Sequence, residues 1–265
     1  MNYRFINKLL SKSFTKFFPK TINRKLFRKY RIFFVPTDIK VLPINFYPVT
    51  TSLKLQEKLV NKFLENKELI NETSKRNLDK FLLEIFDQKS FSFFDVGGDN
   101  IDLYLYLSSK LNIKKYYISN FKEIIVIFDK LKLKFNYHNL QPVSQFVYPK
   151  NIDFVYFGSC IQYFKDYKSY LTEIIKNEPK YILFSGSSFF YDNIDSETVV
   201  VKQTNILPST IFLYFFNYEK FINFFLIKGY KLVYKKKNMT NDLNYKNFYP
   251  MLNKLEYLDL MFEKK

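Results

Sequence analysis

The sequence predicts an α/β protein: a doubly wound, mostly parallel sheet with helices on both faces and a helical extension in front of it. Three observations carry the prediction. From about residue 89 onward, short apolar runs alternate with helical patterns, the rhythm of βαβ units. The runs are near-continuous in apolar residues, as strands buried on both faces require. Two of the chain's five glycines, Gly97 and Gly98, also stand side by side directly after the first of those runs.

In chain order, "MNYRFINKLLSKSFTKFFPK" sets Leu9, Leu10, Phe14, Phe17 and Phe18 near one helical face among Lys8, Lys12 and Lys16. It lacks the apolar core and small-residue cleavage site of a signal peptide. Such a segment lies on an anionic membrane surface or packs against its own domain. Pro36, Pro43 and Pro48 mark an extended connector, followed by helices over "SLKLQEKLVNKFLEN" and "SKRNLDKFLLEIFDQ". These elements form a basic N-terminal extension over 1–88, and the main domain runs over 89–265.

In the main domain "FSFFDVGG", "KKYYISN", "LKFNYH", "IDFVYFGS" and "KYILFSGSS" read as strands. "NIDLYLYLSSKL", "FKEIIVIFDKL", "DYKSYLTEIIKN" and "YEKFINFFLIKGY" read as helices, the last stopped near Gly229. "YKLVYKKK" and "LEYLDLMFEKK" are expected to pair as terminal strands.

Composition narrows the chemistry. Cys160 and His138 are the only residues of their kinds, which excludes an intrachain disulfide, a thiolate metal cluster and a His-based zinc site. No metal is expected, and a single thiol fits a reducing cytoplasm. The formal charge of +17 favours anionic partners, although a codon bias for lysine accounts for it equally well. Phe and Tyr number 32 and 22, so aromatics are too common for each to mark a stacking platform.

The turn "DVGGDN" is where function enters. Glycines after a central strand let main chain approach a ligand, and the next helix offers free N–H groups. A turn that merely needs positive φ explains the pair as well. The surroundings add to it: Asp95, Val96, Gly97 and Gly98; "DFVYFGSCIQYFKD" with Asp153, Ser159, Gln162, Tyr163 and Asp166; Pro179, Tyr181, Ile182 and Leu183; Gln203; and Gly229, Tyr230 and Leu232. In this order, from about Phe91 to the end, the chain resembles the class I S-adenosylmethionine-dependent methyltransferases. More narrowly, it is similar to a methyltransferase family encoded in bacterial surface-polysaccharide (O-antigen or capsule) gene clusters.

The resemblance implies a Rossmann-like, seven-stranded sheet and S-adenosylmethionine as cofactor. It implies transfer of a methyl group to a sugar or related small-molecule or glycan acceptor. The expected location is the cytoplasm; the N-terminal segment is read first as packing on its own domain, and second as a peripheral contact with the inner membrane surface. It assigns cofactor binding to Asp95, Gly97, Gly98, Asn120, Ser159 and Gln162, and names no catalytic residue. The chain departs from the family pattern at Asp99 and Ile101, where glycines are expected. Asn120 stands where an acid would hold ribose, and Ser185–Gly186 where an arginine is expected. His138 is read as ending the third strand on the ligand side, a structural residue before a base. Two other readings stay open: a binding or scaffold protein that kept the sheet and lost the cofactor, and, ranked last, a nucleic-acid methyltransferase.

Overall fold

The computed structural model describes residues 33–36, 39–43, 51–66, 78–87, 89–191, 195–204, 210–237 and 255–265. The amphipathic segment at the N-terminus, Pro48, and the start of the second expected helix lie outside them. The strands are β1 (Phe33–Pro36), β2 (Phe91–Val96), β3 (Ile113–Asn120), β4 (Leu140–Ser144), β5 (Phe154–Gly158), β6 (Tyr181–Phe190), β7 (Thr198–Thr204), β8 (Thr210–Asn217), β9 (Tyr230–Lys237) and β10 (Leu255–Lys264). The helices are α1 (Leu53–Asn66), α2 (Leu78–Phe86), α3 (Asp102–Lys110), α4 (Lys122–Phe135), α5 (Tyr167–Lys176) and α6 (Tyr218–Leu226).

Seven strands form one run in the order β4-β3-β2-β5-β6-β10-β9, in which β10 alone runs opposite to the other six. The expectation of seven strands is nevertheless an undercount: the described sheet has ten. β6 runs past the end of β5, and its last residues, Phe189 and Phe190, pair with β8. β8 then carries β7 and β7 carries β1, both antiparallel, so the sheet branches at β6.

Alternation along the strands explains the two layers of helices. Phe94, Val96, Val155, Phe157, Ile182 and Phe184 face α5 and α6 in one core. Phe91, Phe93, Phe154, Tyr181 and Leu183 face α1 to α4 in another. Every residue of β2 is buried, as the centre of a doubly wound sheet demands. The aromatics are consumed here: Phe93 stacks on Phe154, Phe157 on Phe184 and Phe225 on Phe262.

One strand falls elsewhere than expected. "LKFNYH" is not a strand: α4 continues to Phe135 and closes on Asn136 in the left-handed region. The strand beside β3 is β4, and it starts two residues after His138. His138 therefore lies at the amino end of the parallel strands, exposed, at the edge of the sheet opposite the glycine turn. It is not on the ligand side.

Candidate functional site

Strand order reverses between β2 and β5, because β3 and β4 lie to one side of β2 and β5 and β6 to the other. Ligands of doubly wound folds sit beyond the carboxyl ends of the strands at such a reversal. Gly97 and Gly98 stand there. Gly97 has φ +74°, a conformation that favours glycine, and its N–H donates to Ser119 O at 2.9 Å. A Cβ on Gly97 would meet Cys160 Cβ at 3.0 Å. One on Gly98 would meet Asp95 Oδ2 at 2.4 Å. Both glycines are thus required by the chain's own packing under the turn.

Asp95 lies beneath the pair, buried, and accepts a hydrogen bond from the Tyr116 hydroxyl at 3.0 Å. Burial pushes its carboxyl up to about 7, and Asp99 and Asp102 add like-charge repulsion. Cys160 donates its thiol to Val96 O at 3.0 Å. Burial raises that thiol well above its usual range, so it is not a thiolate nucleophile.

On the β3 side, Asn120 uses both ends of its amide internally. Nδ2 donates to Gly98 O at 2.8 Å and Oδ1 accepts from Phe121 N–H at 2.7 Å. On the β5 side Ser159 holds φ +57°, an uncommon conformation for a residue with a side chain. Its N–H and hydroxyl both donate to Ser185 O, at 2.8 and 3.1 Å. Gln162 is buried in a single 3₁₀ turn, Ile161–Tyr163, and donates to Ser159 O at 3.0 Å and Gly186 O at 3.4 Å. Its Oε1 is buried with no protein partner among the described residues. Asp95, Gly97, Gly98, Asn120, Ser159 and Gln162 are therefore brought to one end of the sheet, the first four linked by direct contact and the last two by a hydrogen bond.

The departures from the family pattern resolve differently from one another. Ile101 does not fill the space over the turn: it is fully buried in the core with Val60 and Leu103. Asp99 is exposed. Ser185 and Gly186, standing where an arginine is expected, are turned toward β10, where Asp259 Oδ1 accepts from the serine hydroxyl at 3.0 Å and from Gly186 N–H at 2.7 Å. Other matched residues serve the fold. Asp153 opens β5 at the far end and accepts from the N–H and hydroxyl of Ser92, each at 2.7 Å. Tyr230 donates to Pro179 O at 2.9 Å, joining two of the matched stretches. Tyr163 donates to Gln203 Oε1 at 3.4 Å. Neither Ser159 nor Asp166 caps α5 through its side chain.

Sequence reasoning missed two residues, Asp259 and Gln56. Gln56, on α1, is fully buried, and Ile101 N–H donates to its Oε1 at 2.9 Å. The only cue to it was a polar residue on the apolar face of an amphipathic helix. A cleft of about 280 Å³ lies between α5 and α6, lined by Tyr167, Phe216, Phe221 and Phe224 with Lys168 and Lys220. None of its lining residues belongs to the glycine turn, so it is separate from this site. Among the described residues no group of three or more His, Cys, Asp or Glu could hold a metal ion, and no helix is long and apolar enough to cross a membrane.

No protein-family model matches the chain, and no curated protein does. Solved structures match its fold. A Burkholderia thailandensis 1,6-didemethyltoxoflavin-N1-methyltransferase, crystallised with 1,6-didemethyltoxoflavin and S-adenosylhomocysteine, gives a TM-score of 0.53 at 13% identity, over 89% of this chain and 96% of that one. The N-terminal domain of EvdMO1, in the presence of S-adenosylhomocysteine and D-fucose, gives 0.51 at 7% identity, over 71% and 82%. The cyclase SpnF gives 0.51 at 11% identity, over 85% and 99%. The chain has a methyltransferase-like α/β fold, with a mostly parallel central sheet and an antiparallel branch.

Proposed function

We propose that the protein is an S-adenosylmethionine-dependent methyltransferase acting on a sugar or related small-molecule acceptor in surface-polysaccharide assembly. The observation that carries the reading is the bare main chain of Gly97–Gly98 at the reversal of strand order, with Ile101 withdrawn into the core. Two structures of the same fold that were crystallised with S-adenosylhomocysteine support it, one of them also in the presence of D-fucose.

The residues present fit the adenosyl half of such a cofactor. Gly97 and Gly98 would lie against it, with Asn120 on one side and Ser159 and Gln162 on the other. Asp95, with its carboxyl raised to about 7, lies under the turn without a full charge at neutral pH. The Asp99 and Asp102 side chains, clustered at the same turn, are the groups set against a ligand carboxylate. When bound, the cofactor supplies an activated methyl group on a sulfonium. The chain's task is alignment of an acceptor, for which the buried, unpartnered Gln162 Oε1 is the available hydrogen-bond acceptor beside Ser159.

A specific observation also favours the scaffold reading. Asn120, Cys160 and both glycines have complete structural reasons within the chain. The fold does not compel methyl transfer either, since SpnF is named a cyclase. Calorimetry of the full chain with S-adenosylhomocysteine separates the two. Saturable binding, with a rise in melting temperature that follows ligand concentration, supports the methyltransferase. No heat at millimolar ligand assigns the protein to the scaffold class. Peripheral membrane contact through residues 1–32 is a separate proposal, tested by flotation with anionic vesicles against neutral ones.

A further inference from the structure

The turn described above is built from strand ends, yet its shape depends on a residue from the helical extension. We propose that Gln56 is a positioning residue for the ligand loop, fixing Asp99, Asn100 and Ile101 so that Gly97–Gly98 faces the crevice before any ligand arrives. The identity of the ligand rests on the methyltransferase reading; the holding of the loop does not.

A glutamine shut away from water must satisfy one carbonyl oxygen and two N–H donors, or its burial is costly. Gln56 does so by gripping three successive loop residues. Oε1 accepts from Ile101 N–H at 2.9 Å. Nε2 donates to Asn100 Oδ1 at 3.0 Å, and Asp99 O lies within reach at 3.3 Å. Thr51 Oγ1, at 2.5 Å, completes the set from the same segment.

The helix that carries Gln56 has anchors of its own besides its grip on the loop. Val60, one turn on, is fully buried in the core that also holds Ile101. Glu57 pairs with Lys134 of α4 at 2.9 Å. Ser52 accepts from Leu55 N–H at the first turn. One side-chain amide therefore transmits the position of a fixed helix to the loop. Its effect is visible in the two residues that replace expected glycines: Ile101 is drawn into the core and Asp99 is left outside. A loop ordered in this way has less freedom to lose on binding, which is how a positioning residue raises affinity.

The test uses the full chain and two variants, Gln56→Leu and Gln56→Glu. In ligand-free protein, amide exchange at Ile101 is expected to accelerate about ten-fold or more in Gln56→Leu, while the α3 amide of Leu105 keeps its protection. The Kd for S-adenosylhomocysteine is expected to rise by about ten-fold in Gln56→Leu. Gln56→Glu keeps an oxygen for Ile101 but, ionised, has no donor for Asn100 Oδ1 or Asp99 O, so its Kd at pH 8 is expected to rise by about ten-fold over that of the wild type measured at the same pH. Unchanged exchange at Ile101, or faster exchange with equal Kd in wild type and both variants, overturns the proposal. Should Gln56→Leu not fold, Gln56→Glu alone decides: a Kd at pH 8 equal to that of the wild type overturns it. Absence of binding by the wild type sinks the methyltransferase reading instead, and the exchange rates still decide whether Gln56 holds the loop.

Discussion

The hydroxyl of Tyr116 donates to the Asp95 carboxyl at 3.0 Å between neighbouring strands, and both side chains are buried directly beneath the glycine turn. This pair places a titratable group where the site is least tolerant of change. Burial holds the native carboxyl at about 7 against an ordinary value of 3.8. Between those values the unfolded chain has released a proton that the folded chain keeps. Stability therefore falls as pH rises through that window and is flat above it. In Asp95→Asn, which keeps an acceptor for Tyr116, that contribution should vanish. Relative to wild type, the variant should gain on the order of 2 kcal/mol between pH 5 and pH 8, read from urea unfolding at the two values.

Gly98 should not accept even one methyl group. Its Cβ would fall 2.4 Å from Asp95 Oδ2 and 2.9 Å from Ile118 Cδ1, inside a packed core. Gly98→Ala is expected to destabilise the chain by about 1–3 kcal/mol, the usual range for overpacking. Adding Asp95→Ala should relieve much of that cost, which a double-mutant cycle measures. An additive pair would show that the crowding lies elsewhere.

Ser92 provides the contrasting case. It joins the start of β2 to Asp153 and Asn151 at the end of the sheet remote from the turn. Ser92→Ala should cost about 1 kcal/mol, since it removes the hydroxyl's bonds to Asn151 O, Asp153 Oδ2 and Asp153 N–H while the Ser92 main-chain N–H still reaches Asp153. Its Kd for S-adenosylhomocysteine should match that of the wild type. Weakened binding would mean that the two ends of the sheet are coupled.

His138 is exposed before β4, at that same remote end. His138→Gln should leave any pH–rate profile unshifted. A lost limb near neutral pH would restore the imidazole to the site and contradict its placement.

Much of the fold was legible because period and position agreed. β2 and β5 were apolar runs before helical patterns, β3 and β6 followed such patterns, and β9 pairs with β10 as expected. β4 was obscured by its own chemistry. Pro142 argues against a strand unless the strand is at an edge, which β4 is. Meanwhile "KLKLKF" alternates like a strand although it is the last six residues of α4. β7 and β8 were lost among apolar runs in a chain rich in Phe and Tyr. At the site, the sequence could name the residues at the strand ends but not how their hydrogen bonds are spent. That Asn120 serves Gly98, that Ile101 faces inward and that Gln56 reaches across from α1 are facts of tertiary contact. No local pattern encodes them.

The branch at β6 has a mechanical consequence. The β8–β7–β1 arm joins the seven-strand run by pairing with only Phe189 and Phe190. Beyond that short ladder the arm is held by side chains: Val200, Tyr214 and Phe216 share the core of α5 and α6, and Ser188 donates to Tyr214 O at 2.8 Å. Its seat on the sheet is therefore set by aromatic packing more than by strand pairing.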